Sequence, residues 1–184
     1  MFARRLIGFG LGLGLGLLPV LTPALAQVSG NAAGSKSNWM FHVQEDPKQC
    51  WVVAPPEQGK STATRDGRPV AVNRGDIYLF VSFWPKDANG GGMGEVSFTG
   101  GYDFAEGQPV VLEIGDAKFD LFAEGNMAWA ASPEEDRRIA QAMKAGVAAV
   151  VTGKSQRSGT TTKDSFSLIG FTAAYEDAEK RCAK

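Results

Sequence analysis

The chain has few of the residues that build most catalytic and metal sites. It contains one histidine, His42, and two cysteines, Cys50 and Cys182. A zinc site needs several His or Cys ligands at short spacing, and a Ser-His-Asp triad would have to use His42. His42 lies in an alternating strand pattern between Phe41 and Val43, which favours a structural role. We therefore expect no metal site, no cofactor and no catalytic residue.

A basic surface is also missing. Lys and Arg number 19 against 20 Asp and Glu, and loss of Arg4 and Arg5 with the leader described below leaves 17 basic residues. The formal charge is then about −3, with no dense basic patch that could release phosphate counterions. Nucleic acid is therefore not the expected partner. The glycine-rich stretch 89–94 lacks the Lys-Ser/Thr pair of a phosphate loop and predicts a flexible connection.

The N-terminus has the layout of a signal peptide. Arg4 and Arg5 precede an apolar run over residues 6–18, and an Ala-Leu-Ala sequence ends at Ala26. A run of about 13 residues is shorter than the roughly 20 that a bilayer span needs, so we expect cleavage after Ala26 and no membrane anchor. The arginine pair fits general export and twin-arginine export. The sequence predicts a periplasmic or secreted protein of the cell envelope.

Export places both cysteines in an oxidising compartment, where a disulfide is their default state. A Cys50–Cys182 bond would join the first strands to the last helix, and in the chain-entropy account it would contribute on the order of 5 kcal/mol. Two free thiols or an intermolecular bond remain the alternatives.

The mature chain reads as one mainly β domain. A polar stretch over residues 27–38 predicts a flexible tail, and the ordered domain is expected over 39–184. At least seven segments have strand patterns, of which 77–84 is expected to be buried on both faces and 95–99 on one face. These strands are 39–43, 50–54, 77–84, 95–99, 110–114, 117–121, 147–151 and 164–169. They indicate a β-sandwich or a barrel-like sheet.

Two helices are predicted in the C-terminal half. Ser132 is the expected N-cap of the first, with Pro133 at its first position and Gly146 at its end. Residues 172–181 form the second, because apolar residues recur on one face at helical spacing and bring Cys182 inward.

A short signature at the C-terminus carries a resemblance. Residues 166–174, Phe-Ser-Leu-Ile-Gly-Phe-Thr-Ala-Ala, and the preceding helix end at 143–146 resemble the invasion-associated locus B family of bacterial exported proteins. The resemblance implies a β-rich periplasmic or envelope protein with no established catalytic activity or cofactor, linked in some pathogens to host-cell invasion. Many relatives carry an additional cysteine pair where this chain has residues 124–131 without cysteine, so the invasion role stays open.

The expected function is non-enzymatic binding of an envelope or host-surface partner. Loops 84–94, 100–107 and 152–163 are long, polar and glycine-rich, as binding loops on a rigid strand scaffold often are. The aromatic residues expected at this surface, each also compatible with core packing, are Trp84, Tyr102, Phe104 and Trp129.

The alternative function is a small secreted hydrolase acting on glycan or peptide. Asp103 and Glu106 would be its acid and base, and an active pair should lie in one cleft with shifted pKa values. The tripeptide 74–76, Arg-Gly-Asp, matches a sequence that adhesion receptors recognise, but its place before a strand predicts a turn.

Overall fold

The structure, a computed structural model, describes residues 32–85 and 94–183. Within these ranges the chain forms 12 strands and two helices, so the prediction of a mainly β fold with two helices in the C-terminal half is confirmed. The elements are β1 Ala32–Lys36, β2 Trp39–Glu45, β3 Lys48–Ala54, β4 Ser61–Arg65, β5 Arg68–Pro69, β6 Tyr78–Phe83, β7 Glu95–Thr99, β8 Val110–Ile114, β9 Ala117–Glu124, β10 Met127–Trp129, α1 Pro133–Ala145, β11 Ala148–Lys154, β12 Thr161–Ser167 and α2 Phe171–Cys182.

Every strand pairs with its neighbours in antiparallel fashion. The order is β1-β2-β3-β6-β7-β10-β9-β8-β11-β12-β4-β5. Strand β9 connects two layers, because its first part pairs with β8 and its last three residues pair with β10. The layers face each other across Phe98 and Phe166, whose ring centroids are 6.0 Å apart, and Trp39 Nε1 donates to Ser167 O at 2.9 Å. This arrangement fits a β-sandwich.

The burial of β6 and β7 is the reverse of the prediction. Strand β6 buries only Leu79, Val81 and Phe83, whereas β7 buries both faces, with Ser97 only 5% exposed. The reason is the register: Ser97 lies opposite Phe80 on one side and Trp129 on the other. The side chains of Phe80 and Trp129 cover Ser97, and the sequence of β7 alone gives no sign of these neighbours.

Helix α1 begins and ends as predicted. Ser132 Oγ accepts a hydrogen bond from Glu135 N at 3.2 Å, and Pro133 occupies the first position. The helix ends at Gly146, where a Cβ atom would approach the Ile114 side chain to 2.7 Å. Glycine is thus needed here for close packing.

Helix α2 is attached to β3 by the predicted disulfide. Cys50 and Cys182 are bonded, with Cα atoms 5.7 Å apart and 132 positions apart in sequence, and both are buried. At its other end α2 packs through Phe171, whose ring centroid lies 4.8 Å from that of Trp39. The helix therefore packs on the first layer, against β1, β2, β3 and β6. Neither helix in the described ranges has the length and hydropathy to cross a bilayer.

The N-terminal stretch contains a strand that the sequence pattern does not indicate. The sequence predicts a flexible tail over 27–38, whereas residues 32–36 form β1, an edge strand paired with β2. Edge pairing through the backbone needs no apolar alternation, so a polar, glycine-containing segment can supply it. The predicted signal peptide, 1–26, and most of loop 84–94 lie outside the described residues.

Candidate functional site

Three strand connections meet at one edge of the sandwich: residues 70–76 after β5, 100–107 after β7, and 155–160 between β11 and β12. Backbone hydrogen bonds hold them together, from Gln156 N to Asp103 O at 2.9 Å and from Gly75 N to Gly101 O at 3.0 Å. The sequence-predicted loops 100–107 and 152–163 are thus brought together, although the latter is shortened by the ends of β11 and β12.

A buried ion pair lies under these connections. Both Nη atoms of Arg74 bond the Asp164 carboxylate, at 2.9 and 2.5 Å, and Nη1 also donates to Gly100 O at 3.3 Å. The Asp164 side chain is fully buried and that of Arg74 is 9% exposed. Burial, the largest single influence, lowers the pKa of Arg74, but the hydrogen bonds and charge of Asp164, with help from Tyr102, outweigh it and raise the pKa. Arg74 is therefore a fixed cation.

The Arg-Gly-Asp tripeptide is part of this framework. The guanidinium of Arg74 is committed to Asp164, and Gly75 packs on the backbone of Gly101. A Cβ atom at Gly101 would lie 2.5 Å from Gly75 O, and Gly101 has a φ of +74°. The predicted turn is not formed, since residues 71–77 contain neither a turn nor a bend, but these contacts keep the arginine from being presented at the surface.

The hydroxyl group of Tyr102 forms a hydrogen bond with a buried threonine. Its Oη lies 2.7 Å from Oγ1 of Thr162, which is 1% exposed. Burial is the main reason that the pKa of Tyr102 is raised, so the phenol is neutral at physiological pH. The Tyr102 ring packs edge-on against Phe104, with centroids 5.1 Å apart. Phe104 itself is only 4% exposed, so it supports the surface from below.

The connections enclose a polar cleft of about 640 Å³. Tyr102 lies in its wall, and the charged and amide side chains that line it are Arg65, Asn73, Asp103, Gln156 and Arg157. We call this site the polar cleft. On the other side of residues 101–103 lies a space of about 500 Å³ that contains Asp76, Asp103 and Asn126, which we call the acidic cleft.

The guanidinium of Arg65 is held in place by a buried threonine. Its Nε and Nη2 both donate to Thr160 Oγ1, at 3.1 and 2.9 Å, and Ser158 Oγ donates to the same oxygen at 2.9 Å. Thr160 is 2% exposed. Among residues 32–85 and 94–183, no carboxylate oxygen lies within 4.0 Å of Arg65 or Arg157. The polar cleft therefore presents two cations without a counter-ion from the described part of the chain.

Of the two carboxylates that the sequence singles out, Asp103 lines the polar cleft and Glu106 does not. Asp103 and Glu106 are exposed, and Glu106 accepts a hydrogen bond from Gln156 Nε2 at 3.1 Å. Burial raises the pKa of Glu95 and that of Asp136, and the Asp136 charge raises the pKa of Glu95 further. Asp136 Oδ1 accepts from Val96 N at 2.7 Å. Glu95 and Asp136 are far apart in sequence, so no local sequence pattern could have predicted that they lie together.

The other two predicted surface aromatics lie away from the polar cleft. Trp129 is half-buried on the outer face of β10, opposite Phe122 of β9, which is 62% exposed. Trp84 is half-buried in a small space beside Cys182. The sequence-predicted aromatic residues thus occupy three separate regions.

His42 lies on β2 outside these sites. Its ring stacks on Trp51, with centroids 5.5 Å apart, and partial burial lowers its pKa. It therefore remains neutral at physiological pH.

Comparison with known proteins shows a likeness in fold. Neither a protein-family model nor a curated protein matches the sequence. The crystal structure of invasion-associated protein B from Bartonella henselae superposes with a TM-score of 0.54 at 15% identity, covering 82% of this chain and 98% of that chain. The two proteins share a fold. The resemblance predicted from residues 166–174 is confirmed at the level of the fold.

Proposed function

We propose that this protein is a non-enzymatic, exported binding protein of the cell envelope that recognises an envelope or host-surface component through the polar cleft. The observation that carries the proposal is the cleft itself, whose three connections are tied to one another and to a buried ion pair. Loops held by such contacts lose little conformational freedom on binding, which favours affinity.

Export is supported by two independent features. The family that residues 166–174 resemble is one of exported proteins, and Cys50 and Cys182 are paired, as expected in an oxidising compartment. With residues 1–26 removed as a leader, the intact mass of the exported protein corresponds to a chain starting at Gln27.

Binding is favoured over hydrolysis by the distribution of acids. The polar cleft contains one carboxylate, Asp103, whereas a glycosidase needs an acid and a base on either side of the scissile bond. Glu95 and Asp136 have raised pKa values, but Asp136 is occupied in holding the Val96 amide. Their arrangement is therefore better explained by strand-to-helix packing.

The test is capture of an envelope component by the intact cleft. Asn73 is exposed in the cleft lining, so Asn73→Trp partly fills the cleft without touching the core. Gln44→Trp places the same bulk on an exposed position of β2 and is the matched control. Wild-type protein and the control should retain the same component from the organism's envelope extract, and Asn73→Trp should lose it.

Equal capture by all three proteins would place recognition elsewhere on the surface. Degradation of a glycan or peptide in the extract, in place of capture, would favour the hydrolase.

A further inference from the structure

Arg65 is built to bind a planar anion. A guanidinium has five N–H donors in a rigid fork, and Thr160 takes the Nε donor and one donor of Nη2. Nη1 and the second donor of Nη2 form the outer edge of the guanidinium, which Thr160 does not use. Two parallel N–H groups on one edge match the two oxygens of a carboxylate.

Thr160 lowers the loss of side-chain entropy that Arg65 would otherwise undergo when a ligand binds. A free Arg side chain loses rotamer entropy of up to about 2 kcal/mol when it is immobilised. Here a buried hydroxyl, itself held by Ser158, already fixes the guanidinium before any ligand arrives. The side chain is thus positioned as a receptor, although it remains exposed.

The charge of the polar cleft has a definite sign. Arg65 and Arg157 face one carboxylate, Asp103, so the charged side chains of the lining sum to a positive value in a protein whose full chain has a formal charge of −1. An anionic ligand is therefore drawn to this cleft and repelled by the acidic cleft on the other side of Tyr102, where Asp76 and Asp103 lie.

The rest of the lining favours a sugar over a peptide. Asn73 and Gln156 offer amide groups that both donate and accept, as the hydroxyl groups of a sugar do, and Ser158 Oγ, which donates to Thr160, can accept. Peptide recognition usually depends on apolar anchor pockets or on an open strand edge, and the apolar groups of the cleft lining are limited to Ala71, Val72 and the Tyr102 ring. The cleft volume of about 640 Å³ is enough for several sugar rings.

We propose that the polar cleft binds an acidic oligosaccharide, with a uronic acid carboxylate on the outer edge of Arg65 and a second carboxylate near Arg157. This assignment rests on the proposed function, because it names the ligand class of the same cleft. Asn73, Gln156 and Ser158 contact the sugar hydroxyl groups.

The probe is tetragalacturonate, titrated by calorimetry into the processed, disulfide-bonded protein. A neutral galactose tetramer, a tetraglutamate peptide and inorganic sulfate are the comparison ligands. Tetragalacturonate should bind most tightly, and added salt should weaken its binding because the contacts are charged. Arg65→Gln and Arg157→Gln should each weaken it by about tenfold or more, as expected for loss of a charge-assisted contact.

Two further variants separate geometry from charge. Arg65→Lys keeps the charge but loses the fork, so it should recover less than half of the binding free energy that Arg65→Gln loses. Arg137→Gln removes one cation from α1, which contributes nothing to the cleft, and should bind like the wild type. Unchanged thermal unfolding of the Arg157→Gln variant shows that its loss of binding does not come from misfolding.

Each result decides the assignment. Tetraglutamate binding as tightly as tetragalacturonate overturns the sugar in favour of an acidic peptide, and equal binding of sulfate reduces the site to a general anion site. If no probe binds while the envelope component is still captured and Asn73→Trp abolishes capture, the ligand class is wrong and the proposed function stands. If no probe binds and no envelope component is captured, both the ligand class and the proposed function are wrong.

Discussion

Arg74 and Asp164 place a full charge pair inside the sandwich, directly under the residues that line the polar cleft. A buried pair of this kind adds little net stability relative to apolar side chains, because removal of both charges from water is costly. Loss of one partner is different, since it leaves an uncompensated charge in a site that is closed to solvent. The ion pair therefore fixes segment 70–76, which contains Arg74, against β12, which contains Asp164.

Asp164→Ala should lower the free energy of unfolding by about 3–5 kcal/mol, because it strands the Arg74 guanidinium. Urea unfolding of the variant and the wild type measures the difference. Addition of Arg74→Met to the Asp164→Ala variant should restore part of the loss. Asp177→Ala breaks the partly exposed pair with Arg181 and should cost less than about 1 kcal/mol. Equal costs for Asp164→Ala and Asp177→Ala would mean that the buried pair is not desolvated.

Glu95 gives the stability of the protein a pH dependence of known sign. Its pKa in the folded protein is raised above 4.5 by burial and by Asp136. A raised pKa contributes stability that is fully present below about pH 4.5 and is lost as the pH rises through the folded value. Glu95→Gln removes this loss, so the stability of the variant relative to the wild type should increase from pH 4 to pH 7. Urea midpoints across this range measure it.

Glu113 provides the opposite control for this prediction. Its hydrogen bond to Lys118 lowers its pKa, so its contribution is lost as the pH falls. Relative to the wild type, Glu113→Gln should therefore lose stability as the pH rises toward about 4.5 and change no further above it, opposite in direction to Glu95→Gln. Parallel slopes for the two variants would contradict the assigned shifts.

At the scale of elements, local signals predict those parts of the fold that local contacts form. Helix α1 is defined by Ser132 and Pro133, and the β8–β9 hairpin by the Gly115-Asp116 turn, where Gly115 has a φ of +58°. Strand β1 pairs with β2, which follows it after two residues, but its polar sequence has no strand alternation that would predict it. The burial of Ser97 depends on Phe80 and Trp129 of neighbouring strands, and the sequence of β7 contains no record of them.

In the candidate site, too, some features are predicted by the local sequence and others depend on distant parts of the chain. The polar, glycine-rich composition of 100–107 and 152–163 predicts both as surface connections, and only the structure shows that they meet. The fixed geometry of Arg65 depends on Thr160, 95 positions further along the chain, and the Glu95–Asp136 pair depends on packing of α1 against β7. Such pairings follow from strand order, which hydrophobic periodicity does not specify.

Gly101 is the residue on which the meeting of two connections depends. Its φ of +74° and the distance of only 2.5 Å that would separate a Cβ atom from Gly75 O both oppose any side chain. Gly101→Ala should lower the free energy of unfolding by more than about 2 kcal/mol, measured by urea unfolding. Gly159→Ala, with a φ of +64° and open space around it, should cost only about 1–2 kcal/mol. Equal costs would show that the Gly75 contact relaxes.

At the scale of the whole molecule, the disulfide joins elements from the two ends of the described chain. Cys50→Ala with Cys182→Ala should lower the free energy of unfolding by about 2–5 kcal/mol, since the bond closes a long loop. Thermal unfolding with and without reductant measures the effect. Reduction should destabilise the wild type and leave the double variant unchanged. A destabilised double variant that responds to reductant would point to a different cause.

The Cys50–Cys182 bond also sets an order of events in time. A chain delivered across a membrane from its N-terminal side presents Cys50 early, whereas Cys182 follows all twelve described strands. In a chain delivered in this way, the Cys50 thiol would stay unpaired until Cys182 has followed it. A chain interrupted at any earlier point keeps Cys50 without its partner. In such a chain the disulfide can form only after residue 182 has been delivered, so the oxidised protein is one whose delivery is complete.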